Sequence, residues 1–137
     1  MEEVIHARGH ENVTAEHAST FEVTTDDYLT PAGDCILAVD ADRAPADFAD
    51  GFVAACREPG ATITCTVEAD GHTDTAVGVG HPDLEFESER SMVGRTSDYV
   101  DDRTVMLASS ISAEGFDREL VAALADGADV TVTLAVE

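Results

Sequence analysis

Gly9-His10-Glu11-Asn12-Val13 returns as Gly80-His81-Pro82-Asp83-Leu84 at an offset of 71 residues, and this recurrence decides how the rest of the chain is read. The same offset carries Thr20-Phe21 onto Ser91-Met92 and Asp27-Tyr28-Leu29 onto Asp98-Tyr99-Val100, which takes in both tyrosines. Past the Thr30 to Asp34 turn the offset falls to 68, setting Phe48, Phe52 and Cys56 on Phe116, Leu120 and Leu124. Before the last strand it falls to 67, and Ile63, Cys65 and Val67 meet Val130, Val132 and Leu134. Four blocks in one order with small gaps predict a tandem duplication, with repeats 1–69 and 72–137 inside a single domain of 1–137.

Each copy then divides into elements. Val4 to Arg8 and Thr75 to Val79 read as first strands ahead of a Gly-His turn, Thr20 to Thr24 and Ser91 to Arg95 as second strands. The apolar runs Asp34 to Val39 and Thr104 to Ala108 read as central strands covered on both faces. From Ala46 to Arg57 the side chains of Phe48, Phe52 and Cys56 recur at helical spacing, as do Phe116, Leu120 and Leu124, with Pro59-Gly60 and Gly127 as stops. The last strands alternate, Ile63, Cys65 and Val67 against threonines and Val130, Val132 and Leu134 against Thr131 and Thr133. Asp70 to Asp74 is the linker. A unit of about sixty residues buries only about 60% of its surface, so the halves are expected to share one core. The expected fold is therefore α+β, a β-β-β-α-β motif duplicated about a pseudo-twofold axis, with two helices on a mixed sheet or a partly closed barrel.

The 137 residues are 44% hydrophobic and carry a formal charge of −22, and all seven basic residues are Arg. A folded chain that drops Lys and gains Asp and Glu suits concentrated salt, where screening shortens repulsion to a Debye length of about 3 Å at 1 M. The expected source is a halophile. Scattered Arg and no basic stripe argue against nucleic acid, and the absence of a long apolar run or a basic amphipathic face argues against membrane. Cys35, Cys56 and Cys65 form no paired or Cys-x-x-Cys pattern, which fits a reducing cytoplasm.

The run from Gly9 to Thr24, with a second His seven residues after His10, followed by Leu29-Thr30-Pro31-Ala32-Gly33-Asp34-Cys35-Ile36, resembles the archaeal family called domain of unknown function 371. The resemblance covers nearly the whole chain. It implies an archaeal source and brings no activity, cofactor or catalytic residue with it.

Candidate ligand-binding residues are His10, His17, Asp34, Cys35 and His81. Of these, His10, His17, Asp34 and Cys35 have the chemistry of transition-metal ligands, and a Cys-His pair has that of nucleophile and base. Against this, His10 and His81 hold matching positions and read equally as turn elements, Asp34 as a turn former and Cys35 as a small core residue. His6 and His72 read as surface residues. The functional expectation is a small-molecule- or metal-binding protein, with or without catalysis, whose site favours the first repeat. The alternative is a protein-interaction or self-assembling subunit. The identity of any cofactor, small-molecule ligand or protein partner is left open.

Overall fold

Asp70 and Gly71 both take left-handed backbone angles, φ 51° and 80°, and make the two-residue hairpin whose twist suits antiparallel strands. The expected five-residue linker is thus a tight turn, and the strands on either side pair directly from Ala69 and His72 to Thr62 and Val79. The computed structural model describes all of Met1–Glu137. Its elements are β1 (Glu2–Arg8), β2 (Thr20–Thr24), β3 (Ile36–Ala38), α1 (Asp50–Cys56), β4 (Thr62–Ala69), β5 (His72–Val79), β6 (Ser91–Arg95), β7 (Thr104–Met106), α2 (Arg118–Ala125) and β8 (Asp129–Val136).

These strands form two four-stranded sheets rather than one mixed sheet, and the sheets do not close into a barrel. The first, in the order β1-β8-β4-β5, is antiparallel throughout. In the second, β3-β2-β6-β7, the middle pair is antiparallel and both flanking pairs are parallel. Only single bridges, Arg8 to Val39 and Val79 to Leu107, touch from sheet to sheet. They go no further because the chain leaves β1 and β5 at Gly9 and Gly80, where the backbone turns to bond the helix ends.

The expectation that Asp34 to Val39 and Thr104 to Ala108 are central strands is corrected: β3 and β7 are three-residue flanks of the second sheet. Leu37, Ala38, Val105 and Met106 are nonetheless buried. A continuous apolar run reports cover on both faces; it says nothing about how many strands bond to it. The expected helix from Ala46 to Arg57 is also divided. A 3-10 turn at Pro45–Asp47 gives way to extended backbone at Phe48 and Ala49 before α1 begins, and Ala113–Gly115, Phe116 and Asp117 do the same ahead of α2. Phe48 still packs edge-on to Phe52 at 5.7 Å, so an extended pair of residues preserved the stripe that looked helical.

One cluster of 35 buried side chains draws on both halves, with Phe21 against Phe116 at 5.3 Å across it. The outer edges of the first sheet are bonded by the chain itself at one end of each edge strand, near Arg8 on β1 and near Val79 on β5. Asp42 N donates to His6 O at 2.9 Å along β1, and Ser110 N donates to Val77 O at 2.7 Å along β5. A stretch of edge filled in this way offers no template to another strand. No helix is long and apolar enough to cross a membrane.

Candidate functional site

Each helix ends beneath the Gly-His turn of the other half. Gly80 N donates to Ala61 O at 2.9 Å and His81 N to Cys56 O at 3.2 Å, closing the end of α1. At α2, Gly9 N donates to Ala128 O at 2.8 Å and His10 N to Leu124 O at 2.9 Å. Carbonyls at a helix C-terminus lack intrahelical donors; the histidine amides supply them at Cys56 and Leu124, while the glycine amides bond the chain just past each helix. Glycine is required for the approach, since a Cβ on Gly9 would sit 1.9 Å from Leu124 O and one on Gly80 2.0 Å from Cys56 O. The imidazoles brace the same turns: Asn12 N donates to His10 Nδ1 and Asp83 N to His81 Nδ1, each at 3.0 Å. His10 and His81 therefore serve different helix ends, and no hydrogen bond brings them together.

His17, Asp34 and Cys35 do gather, at the head of β2. Asp34 O accepts from Glu16 N and His17 N at 3.0 and 3.2 Å, while His17 Nδ1 accepts from Ser19 N and Thr20 N at 3.2 and 3.1 Å. The Cys35 thiol lies 3.7 Å from Glu22 Oε1, and Arg103 stands 3.9 Å from the same oxygen. Burial first, and then the Glu22 carboxylate, push the Cys35 thiol up to about 11. It is protonated near neutrality, so the activation that a cysteine nucleophile needs is missing. Cys56 and Cys65 are core residues, burial raising both to about 12.

Beside α2 lies a row of three shallow cavities that share walls. One of about 320 Å³ is lined by Asp70, His72, Glu119, Ala122, Ala123 and Asp126. Asp126 also lines the next, of about 270 Å³, with His10 and Arg8. Arg8 continues into the third, of about 250 Å³, with His6, Asp40 and Asp129. His72 and His10 thus line the two cavities along α2, while His6 lies on the outward side of β1 in the third. These volumes sit at or under the lower end of drug-sized sites, about 300–1,000 Å³, and suit an ion or a small molecule.

At the head of this row, ligand atoms of His72, Asp117 and Glu119 lie within 4.8 Å of one another. No other three His, Cys, Asp or Glu side chains meet that distance, and His10, His17, Asp34 and Cys35 do not form such a set. The trio arises from how α2 is started. Asp74 of β5 accepts from Asp117 N at 2.9 Å, and Asp117 accepts from Leu120 N at 3.0 Å as the N-cap. This leaves Glu119 facing His72 Nδ1 at 3.7 Å. Arg118, between the two carboxylates in sequence, turns away onto Ala15 O, Ala113 O and Phe116 O, so it neutralises neither.

His72 carried no sign of this in the sequence, because its partners stand 45 and 47 positions on. The available signal was the asymmetry: the matching places in the first half are Met1, Ala49 and Gly51, none of which has a side-chain nitrogen or carboxylate. A family profile described as Domain of unknown function (DUF371) matches residues 5–137. An uncharacterized protein of Methanocaldococcus jannaschii is 41% identical over 130 residues, covering 95% of this chain and 96% of the relative.

Proposed function

The chain belongs to the family described as Domain of unknown function (DUF371), whose description assigns no activity, and from that premise we propose a small-ligand-binding protein that holds a divalent transition-metal ion at His72, Asp117 and Glu119. The observation that carries this reading is the convergence of one imidazole and two carboxylates without a guanidinium partner, at the end of the largest cavity. One nitrogen and two oxygen donors suit Zn²⁺, Mn²⁺ or Fe²⁺, and three protein ligands leave positions open toward the cavity. Asp70 and Asp126 on the walls add negative charge, which raises the local concentration of cations.

Titration of tag-free protein with Zn²⁺, followed by calorimetry, is expected to give one site per chain. His72→Ala should weaken it by more than about tenfold, since loss of even an outer-shell partner costs 10- to 100-fold. His17→Ala should leave it unchanged. Equal binding by His72→Ala and the unaltered chain sinks the reading, and loss in His17→Ala instead would move the ion to the head of β2.

The same proposal includes an origin by duplication of one β-β-β-α-β unit within a single domain. Support comes from the strand orders, which read the same from either end when β1 exchanges with β5, β4 with β8, β2 with β6 and β3 with β7. Left-handed backbone recurs at Ala15 and Phe86, Asp40 and Ala108, Gly60 and Gly127, at offsets of 71, 68 and 67. These are the offsets of the sequence blocks.

Adaptation to concentrated salt in a reducing cytoplasm completes the reading. Each of the seven Arg donates to an oxygen of the fold: Arg8 and Arg90 to Asp40 and Asp26, Arg95 and Arg103 to Asp101, and Arg43, Arg57 and Arg118 to main-chain carbonyls. Positive charge is kept where it holds structure. The melting temperature should rise between about 0.1 and 1 M KCl as the screening length shortens from about 10 to 3 Å. A melting temperature that stays level or falls counts against salt adaptation.

A further inference from the structure

The outward face of the first sheet is an interface waiting for cover, and we propose that a second copy of this chain packs against it face to face. Inward positions of β4 and β8 are apolar, while Thr64, Thr66, Thr131 and Thr133 point out across the middle of the sheet. Val4 and Val77 flank them, and together with Val79 on the same face they make up half of the six large hydrophobic residues that the chain leaves exposed. β propensity accounts for the threonines. It does not account for the scarcity of carboxylates in a chain with 29 of them: on this sheet only Glu2, Glu68 and Asp129 point outward, and with His6 and the Arg8–Asp40 pair along β1 they keep to the rim, leaving the middle uncharged. The second sheet treats its outward positions differently, setting Glu22, Arg95, Arg103 and Asp101 against one another.

Charge selects the partner. A basic protein or a cationic surface would be drawn to the carboxylates elsewhere on the chain and gains nothing from a neutral threonine face. Two copies of a chain at −22 repel one another everywhere except where charge is missing, which is here. The size is adequate. Three strands of eight residues and one of seven, at about 4.8 Å between strands and 3.3 Å per residue, cover about 500 Å² on each copy. The pair reaches the floor of about 1,000 Å² for a specific interface and lies at its weak end. Residues 39–43 already bond the outer edge of β1 from Val4 to Arg8, and residues 107–110 that of β5 at Val77 and Val79, so a sheet continued from copy to copy has only short stretches of edge and the face offers far more contact.

A twofold interface sets residues near its axis against their own copies, so a like charge placed there opposes itself. Thr66 and Thr133, paired across β4 and β8, are the central positions. Light scattering should give twice the 14.4 kDa chain mass in about 1 M KCl and a single chain in about 0.1 M, where repulsion reaches about 10 Å. Thr66→Glu combined with Thr133→Glu should be a single chain at both salts, with its circular dichroism unchanged. Tyr28→Glu, in the exposed connection between β2 and β3 and away from this face, should dimerise as the unaltered chain does. A single chain at every salt would overturn the proposal and leave the face to a different protein. Equal dimerisation by the double variant would overturn it by assigning the contact to another surface, as would loss of dimer in Tyr28→Glu.

Discussion

Gly80→Ala will lower stability by about 3–5 kcal/mol, at the severe end for a single methyl group. The added carbon falls 2.0 Å from Cys56 O and 3.0 Å from Cys56 C, both backbone atoms of the last turn of α1, so no side-chain rotation relieves the contact. To make room, the turn must withdraw from the helix. It then gives up the bonds from Gly80 N and His81 N, and the carbonyls of Cys56 at the helix end and Ala61 ahead of β4 lose these donors. Gly9→Ala repeats the effect at Leu124 O. Gly60→Ala makes the comparison: its φ is 81° but nothing lies within 4 Å of the new carbon, so only conformational strain applies, on the order of 1 kcal/mol. Urea unfolding should separate Gly80→Ala and Gly9→Ala from Gly60→Ala by at least about 2 kcal/mol, a gap well outside extrapolation error for a small protein. A Gly80→Ala chain as stable as Gly60→Ala would show that the Gly-His turn is not what closes the helix.

That turn marks what was legible in the sequence and what was not. Thr20 to Thr24 and Ser91 to Arg95 fall where expected, because alternation with period two and a buried partner leave little choice of boundary. The inward sets Ile63, Cys65, Val67 and Val130, Val132, Leu134 are likewise fully buried, at 2% exposure or less. Hydropathy carries no information on hydrogen-bond neighbours, and so β3 and β7 were expected at the centre of a sheet and stand at its flanks. Nor does it tell a helix from an extended pair of residues inside one stripe, as Phe48 and Phe116 demonstrate.

The candidate residues divide along the same line. Asp34 and Cys35 share a turn that adjacency in the chain made foreseeable, but His17 stands 17 residues earlier and reaches Asp34 O by a main-chain bond that no spacing announced. His10 and His81 were marked by their recurrence, but the partners they bond are helix ends in the opposite half, which no local spacing reveals. His72, Asp117 and Glu119 meet only because a strand acid, Asp74, fixes the start of α2. A juxtaposition set by tertiary packing leaves no periodic trace.

Asp101→Asn will cost on the order of 3 kcal/mol near neutrality, and the loss will shrink as the solution is made acidic. Asp101 is the hub of the polar face of the second sheet. Its Oδ2 receives Arg95 Nη2 at 2.9 Å and Arg103 Nη2 at 3.1 Å, and its Oδ1 accepts from Arg103 N and from the Thr104 hydroxyl, each at 3.0 Å. Arg95 is 9% exposed and lies over the Tyr99 ring at 4.8 Å, so removing the carboxylate strands a nearly buried guanidinium. Breaking a buried pair in this way typically costs about 3–5 kcal/mol, and the partial exposure of Asp101 favours the lower figure. Burial alone would raise the Asp101 carboxyl, but the hydrogen bonds from Arg103 and Thr104 and the charge of Arg95 outweigh it and hold the group at about 2 against an ordinary 3.8. A carboxylate depressed on folding stabilises the native chain fully above its unfolded value, and that contribution fades as pH falls from 3.8 toward 2. The interval is worth about 2 kcal/mol at 1.36 kcal/mol per unit. Chemical unfolding of both chains between about pH 6 and pH 2 should therefore show the gap falling to on the order of 1 kcal/mol at the acid end. If the gap stays constant or widens on acidification, the ionised Asp101 is not what holds Arg95 and Arg103 to the sheet.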